Sequence, residues 1–476
     1  MEEEITGMLS HEEISVARKC LEKALALGAS KIRITLSKSL MELFGTLDGV
    51  LDKVNHCMDR SMSVCLFVDG KYGTFSTNRL VMDELDGFLS DAVATVRMLA
   101  QDPCRDLPDI NRTAKDAITG KELDLFDPSY PSVTPDQRLK MALEASVFEK
   151  HKGEGLISEE GEYSDTIVDT LILDSNGLEC RHTETSFEYG VEVTVKDSEG
   201  NRFSSYWWES APRIKDLKIA TCSETAFRRA VAQIGPKRIP GGKYTLVVDS
   251  ENSSKLVNPI ISALSAFSLQ QKNSFMLDTL GKKVFPDWMN LVDRPREKGC
   301  SGSRLFDSEG VASKESPIIQ NGVVKEYFVN TYMSNKMGIE PTKEDAMRPV
   351  LLPCMAPGLI PASPAPVVRQ AHQPACVETV EPQKLDRDAI MALVGDGILV
   401  TGFNGGNSNS ATGDFSFGVE GFLFRDGKIV HPVREMLITG NLLTLWGNLL
   451  AAGDDVRLCR SKIIPSLAFK DVDFSA

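Results

Sequence analysis

Residues 166 to 208 alternate apolar and polar side chains through three runs, TIVDTLILD, TSFEYGVEVTVK and FSSYWW, and two of the connections read SNG and SEGN. A period of two over such lengths is the mark of strands with one buried face, and the turn residues join neighbours into an antiparallel meander. A helix would need apolar positions every three or four residues, which these runs do not supply. The chain must therefore contain an antiparallel sheet with helices covering one side of it.

The flanking segments supply those helices and more strands. Ser10 to Glu13 form an S-x-x-E capping box before an amphipathic helix that runs through Leu27 and stops at Gly28. KIRITLS alternates as a half-buried strand, and SVCLFVDGKYGTFST reads as a hairpin turning at Asp69-Gly70. Helices are expected over about 79–100, about 135–150 from Thr134-Pro135, and about 224–233. GPKRIPGG then marks a boundary between an N-terminal α/β domain, residues 1–235, and a second domain, 236–476.

The second half opens with the strand YTLVVDS and a helix, NPIISALSAFSLQQ, in which Asn258 caps, Pro259 takes the first position, and Ile260, Leu264 and Phe267 point inward. Eight prolines between 341 and 374 make that segment a loop or flap. MALVGDGILVTGF, a Gly/Asn/Ser stretch, a hairpin turning at Asp426-Gly427 and a last helix at NLLTLWGNLLAAG complete the chain. The expected class is α+β: an antiparallel sheet with helices first, then a β-rich, barrel-like domain with few helices.

Composition narrows the function. The net charge is −14, and KDLK and GPKR are too short to be a cationic footprint, so direct nucleic-acid contact is not expected. No run of about 18 apolar residues occurs, so no membrane span is expected. The acidic opening MEEEITGML is unlike a secretory signal, and ten scattered cysteines without a C-x-x-C pair suit reduced thiols; a cytoplasmic protein is expected.

Few residues offer chemistry. The run TGFNGGNSNSATGDFSFG, 401–418, lacks G-K-[ST] and leads into a strand, so it suits a close-approach wall that reads a ligand's backbone better than a phosphate loop. Cys354, His372 and Cys376 have no standard zinc spacing, and Cys180 with His182 lacks a third group. Six histidines, no two within five residues, exclude H-E-x-x-H, and there is no G-x-S-x-G elbow. Ser262, Ser265 and Ser268 read as small packing residues.

Three ordered stretches resemble the TldD/PmbA family, historically labelled modulators of DNA gyrase. They are SFMLDTLGKKVFPDWMNLVDRP (274–295), SRLFDSEGVASKESPIIQNGVVKEYFVNTYMSNKMG (303–338) and TGDFSFGVEGFLFRDGKIVHPVREMLITGNL (412–442). The middle one has FD-x-EG-V and a long NGV-x-x-x-YF hairpin; the last has TGD-x-S-x-G and PV-x-E-x-x-I-x-GN. The resemblance implies an N-terminal α/β domain, a barrel-like C-terminal domain and a two-subunit peptidase acting on unfolded peptides. In that system a TldD-type chain holds zinc through H-E-x3-H on a helix and a C-terminal Cys.

That helix would fall where NPIISALSAFSLQQ stands, yet no histidine occurs from 183 to 371. The resemblance thus implies the PmbA (TldE) branch, without catalytic residues or cofactor of its own. Zinc would sit in a TldD-like partner, and a homodimer could form in isolation. Cys459 stands where the family's C-terminal Cys would be and is the one metal-ligand candidate. Gly402, Gly405, Gly406, Gly413, Asp414 and Ser416 are the candidates for peptide binding by strand addition. Two alternatives stay open: an autonomous hydrolase using Cys459 with His431 or the Cys354/His372/Cys376 set, and a non-enzymatic protein-binding modulator of gyrase or of a toxin system.

Overall fold

The computed structural model describes residues 5–359 and 384–475. Helix α1 (His11–Ala26) begins on the expected capping box, with the Glu13 N–H donating to Ser10 Oγ at 3.1 Å and the Ser10 N–H to the Glu13 carboxylate at 2.8 Å. Strands β1 (Lys31–Leu47), β2 (Val50–Val68) and β3 (Lys71–Thr77) follow as two hairpins. Both turn on Asp-Gly pairs, Asp48-Gly49 and Asp69-Gly70, whose positive φ at both positions matches the twist of a two-residue hairpin. Helix α2 (Met82–Met98) lays Leu85, Leu89, Val93 and Val96 beside α1, against Ile32, Ile34, Val64 and Leu66.

The expected helix over 135–150 is two helices, α3 (Pro135–Glu144) and α4 (Phe148–His151). The Glu159 carboxylate accepts from the Ser146 hydroxyl and the Val147 N–H at 2.9–3.2 Å, which holds the chain out of helical geometry between them. The meander is present as β4 (Leu156–Asp174), β5 (Glu179–Lys196) and β6 (Arg202–Ala211), and α5 (Cys222–Ala232) follows. Six strands form one sheet in the order β3-β2-β1-β4-β5-β6. Tyr163, Ile167, Phe187, Tyr189, Val191 and Phe227 pack beneath its second half, burying one face.

The rest of the chain runs β7 (Gly242–Val248), α6 (Ser254–Ala263), α7 (Ala266–Gln270), β8 (Leu291–Asp293), β9 (Ser316–Gln320), β10 (Val323–Val324), α8 (Thr331–Met337), β11 (Pro349–Leu351) and β12 (Cys354–Met355). It ends with α9 (Arg387–Val394), β13 (Gly397–Ser408), β14 (Asp414–Arg425), β15 (Lys428–Asn441), α10 (Leu442–Gly447), β16 (Leu449–Ala452) and β17 (Leu467–Ser475). Five strands, β7-β13-β14-β15-β17, close into a barrel because β17 pairs back onto β7. Trp446 lies fully buried in the core with Leu256, Ile260, Phe417 and Phe469. The α+β class and the closed, curved second sheet are as expected.

Several further sequence expectations need correction. The helix placed at 258 begins at Ser254, so Pro259 lies inside α6 rather than at its first position. It also ends sooner: Phe328 N–H donates to the Leu264 carbonyl at 2.9 Å and Ala266 N–H to the Phe328 carbonyl at 2.8 Å, a local bridge that breaks the helix at Ser265. Phe267 is thereby turned out, 55% exposed. The last helix stops at Gly447, and Leu449–Ala452 pair with β17 as a strand.

The NGV hairpin is short. Its return strand is Val323–Val324 only, because Tyr327 turns away to donate its hydroxyl to the Met276 carbonyl at 2.9 Å. The Pro-rich segment is partly regular: Pro349 opens β11, an edge strand where a missing N–H is tolerated. Its prolines beyond 359, with His372 and Cys376, lie outside the described residues.

Candidate functional site

The open face of β5 and β6 forms one wall of a cleft of about 530 Å³, lined by Glu184, Ser186, Glu188, Trp208 and Ser210. The facing wall comes from the C-terminal half: Ser254 on α6, Ser301 to Arg304, and Cys459 to Lys462. Leu256, Val257, Ile260 and Ile261 bury one side of α6, which leaves a stripe at helical spacing, Ser254, Asn258 and Ser262, on the other. Lys462 Nζ donates to Asn258 Oδ1 at 2.7 Å, so the Cys459 loop sits directly on that stripe.

The loop is anchored to β6. Ser210 Oγ donates to the Cys459 carbonyl at 2.9 Å, and Arg457 reaches the Trp208 carbonyl and the Glu209 carboxylate. Glu251 accepts from Arg460 and the Trp208 indole N–H and forms an ion pair with Arg457, which concentrates two guanidinium groups and an indole on one carboxylate. Guanidinium and indole planes alternate: Arg229 lies 5.3 Å and Arg457 4.1 Å from the Trp207 ring centre, and Arg460 lies 5.4 Å from that of Trp208. Stacked cations over aromatic faces, largely shielded from water, hold the two halves in register.

Burial pushes the Cys459 thiol pKa up, against the pull of Arg457 beside it. A raised pKa keeps the sulfur protonated, the reverse of what a metal ligand or a nucleophile requires. Zinc in a catalytic site takes three protein donors. Here Glu184 and Glu188 stand across the cleft, and the facing wall presents the Lys462 ammonium and the Arg304 and Arg460 guanidinium groups. Among the described residues no three His, Cys, Asp or Glu side chains converge as a metal-holding group. The residues of this cleft do not fit a catalytic dication.

The other candidates lie apart. Gly402, Gly405, Gly406, Gly413, Asp414 and Ser416 belong to the β13–β14 hairpin and are not among the residues lining the Cys459 cleft. The Gly-rich run, expected as a loop, is mostly strand with two bulges, between Val400 and Gly402 and between Phe403 and Gly405. On β13 only Ile398–Val400 pair with β7, so the outer edge of β13 from Gly402 on has no strand partner among the described residues. Asp414 accepts from Asn441 Nδ2 at 3.0 Å and from Thr412 Oγ1 at 2.7 Å, and these contacts hold its carboxyl below the usual range. The TGD and GN motifs therefore clasp each other across β14 and β15.

His431 lines a different cavity, of about 700 Å³, with Tyr206, Arg228 and Arg387, so it does not meet Cys459. Burial pushes the Cys354 thiol up to about 11 and that of Cys180 to about 12. His182 is buried with its ring edge to Phe306 and one nitrogen 3.5 Å from Glu184. Sequence reasoning passed over Trp207, Trp208, Glu251, Arg457 and Arg460. The doubled tryptophan on a strand and the two arginines flanking Cys459 are the signals that could have found them.

Family models match most of the chain: the PmbA/TldA metallopeptidase central domain over residues 128–234 and the C-terminal domain over 241–476. Among curated relatives, Metalloprotease PmbA of Escherichia coli O157:H7 is 24% identical, with 96% of this chain and 97% of that protein covered. A Bacteroides thetaiotaomicron structure, provisionally named a modulator of DNA gyrase, is 37% identical with a TM-score of 0.88, covering 98% of this chain and all of that one. The fold is shared with TldE of Thermococcus kodakarensis, at 15% identity, a TM-score of 0.79, and 97% and 100% coverage. No helix among the described residues is long and apolar enough to cross a membrane.

Proposed function

Because this chain belongs to the PmbA/TldA metallopeptidase family, we propose that it is the metal-free subunit of a two-chain peptidase and helps hold an unfolded peptide for a zinc-bearing TldD-like partner. One observation carries the reading. The α6 stripe that faces the Cys459 loop is Ser254, Asn258 and Ser262, and Lys462 is bonded to its middle residue. A lysine ammonium at that place repels a dication and fills the space where a ligand's donor atom would stand.

The zinc of the partner chain supplies carbonyl polarisation and an activated water when bound. This chain's part is binding. Arg304, Arg460 and Lys462 on one wall and Glu184 and Glu188 on the other present charges of both signs to a peptide's carbonyls, amides and termini. The outer edge of β13 around Gly405 and Gly406 offers backbone groups for strand addition, which tolerates any side-chain sequence; the two bulges confine regular pairing to a few residues.

The test is peptide cleavage by the purified chain alone, by a TldD-like chain with H-E-x3-H alone, and by the two mixed. We expect cleavage only when the TldD-like chain is present, stimulated by this one, and reduced when Arg460 and Lys462 are both changed to Ala. Zinc-dependent turnover by this chain alone overturns the reading.

A further inference from the structure

The cavity of about 700 Å³ that His431 lines lies between α5 with β6 on one side and β13, β14 and β15 on the other, and has the size of a small-molecule site. It shares no lining residue with the Cys459 cleft. Its floor is apolar. Leu399 and Phe422 are buried there, and Ile429 and Val430 stand beside them 48% and 55% exposed. Pairing along β15 jumps from Leu423 with His431 to Phe424 with Ile429, so Val430 is the extra residue of a bulge. Regular alternation would turn one of two consecutive residues away; the bulge lets both face one cavity.

Two polar groups over this floor keep unused capacity. Arg228 donates from Nε to Glu224 at 2.9 Å, but its side chain is 77% exposed and its outer nitrogens have no hydrogen-bond partner among the described residues. His431 Nδ1 lies 3.0 Å from the Pro432 carbonyl, which can only accept, so Nδ1 carries the proton and Nε2 of the neutral ring is left as an acceptor. The remaining charges are matched. Glu251 is held by Arg457 and Arg460, and Glu420 faces Arg434 at 3.6 Å. Arg229 is tied to Asp249 at 3.2 Å and Arg387 to Asp388 at 2.8 Å.

We propose that this cavity binds the C-terminal residue of a peptide that ends on an aliphatic or aromatic side chain. Such a residue carries the three features the cavity lacks: an apolar group for the floor, a carboxylate for Arg228 and an amide N–H for His431 Nε2. An apolar acid has no N–H to offer. A free amino acid brings an ammonium, for which no unmatched carboxylate stands ready. This inference does not depend on the metal-free reading of the Cys459 cleft.

The experiment is calorimetric titration of the full chain at pH 8 with N-acetyl-leucine, its methyl ester, leucine and 4-methylpentanoate. For a ligand of this size we expect N-acetyl-leucine to bind with a dissociation constant on the order of 1 mM, and the other three about tenfold more weakly. Arg228→Gln should weaken the acid about tenfold and leave the ester unchanged. Val430→Asp should weaken both, and His431→Phe should bring N-acetyl-leucine down to the level of 4-methylpentanoate. Arg228 and Val430 are exposed, so unchanged thermal midpoints are expected for those two variants. Acid and ester bound alike, leucine or 4-methylpentanoate bound as tightly as N-acetyl-leucine, binding indifferent to Arg228 and Val430, or no binding at about 10 mM each overturns the proposal.

Discussion

At Asp307, in the FD-x-EG motif, the fold buries a carboxyl that is costly to ionise. Its Oδ1 accepts from the Glu309 and Val311 N–H groups at 3.0 Å, but burial first, then Glu309 and Glu344, push its pKa up to about 6. An acid raised in the folded state costs nothing below the unfolded pKa of 3.8 and most above the folded one, so stability falls as pH rises from about 4 to 6. Holding this carboxyl charged at neutral pH costs about 3 kcal/mol. Asp307→Asn keeps one oxygen for both N–H groups. We expect it to raise the thermal midpoint at pH 8 and leave it nearly unchanged at pH 4, as scanning calorimetry at the two values would read.

Glu251 is the opposite case, a carboxylate the structure needs. Glu251→Gln removes the charge between Arg457 and Arg460, both largely buried. We expect a loss of about 3 kcal/mol, since one partner of a shielded pair is left uncompensated. Cys459, then closer to unneutralised guanidinium, should alkylate faster with iodoacetamide at pH 7.5, which mass spectrometry of the labelled peptide would show. The sequence announced neither residue's role. FD-x-EG signalled kinship, and Glu251 gives no local sign of the indole and the two guanidinium groups that converge on it from β6 and from a loop about 200 residues away.

Among the elements, what could be read was what had an apolar period or a turn dipeptide. Asp69-Gly70 and Asp426-Gly427 turn as expected, with positive φ at both positions of each pair. The capping box at Ser10 and the cap at Thr134 begin their helices. Residues 40 to 60 carried no reading because the outer half of β2 has no buried face, so its alternation has no apolar signal. The break at Ser265 was invisible for another reason: it is made by Phe328, far along the chain. Gly406 tests the strand reading of the Gly-rich run. Its φ is +79°, and a Cβ there would run into the Ser416 carbonyl. Gly406→Ala should cost more than about 1 kcal/mol and raise amide exchange in β13 beyond Val400, without touching β7.

For the whole molecule, the sequence supplied class and kinship, while the structure supplied the arrangement. Alternating strands with helices imply α+β. Barrel closure depends on β17 returning to β7, a pairing between residues over 200 apart that no local pattern encodes. The cleft between the β5–β6 face and the Cys459 loop is likewise a property of the assembled chain. The proposal that it is metal-free turns on what lines it: a thiol that burial keeps protonated, with Arg304, Arg460 and Lys462, in place of a ligand set. The most direct measurement is zinc stoichiometry by equilibrium dialysis and elemental analysis, on the wild-type chain and on Cys459→Ser. We expect no equivalent of zinc that depends on Cys459, and the same result for both proteins. One zinc per chain in the wild type, lost in Cys459→Ser, would contradict the central claim.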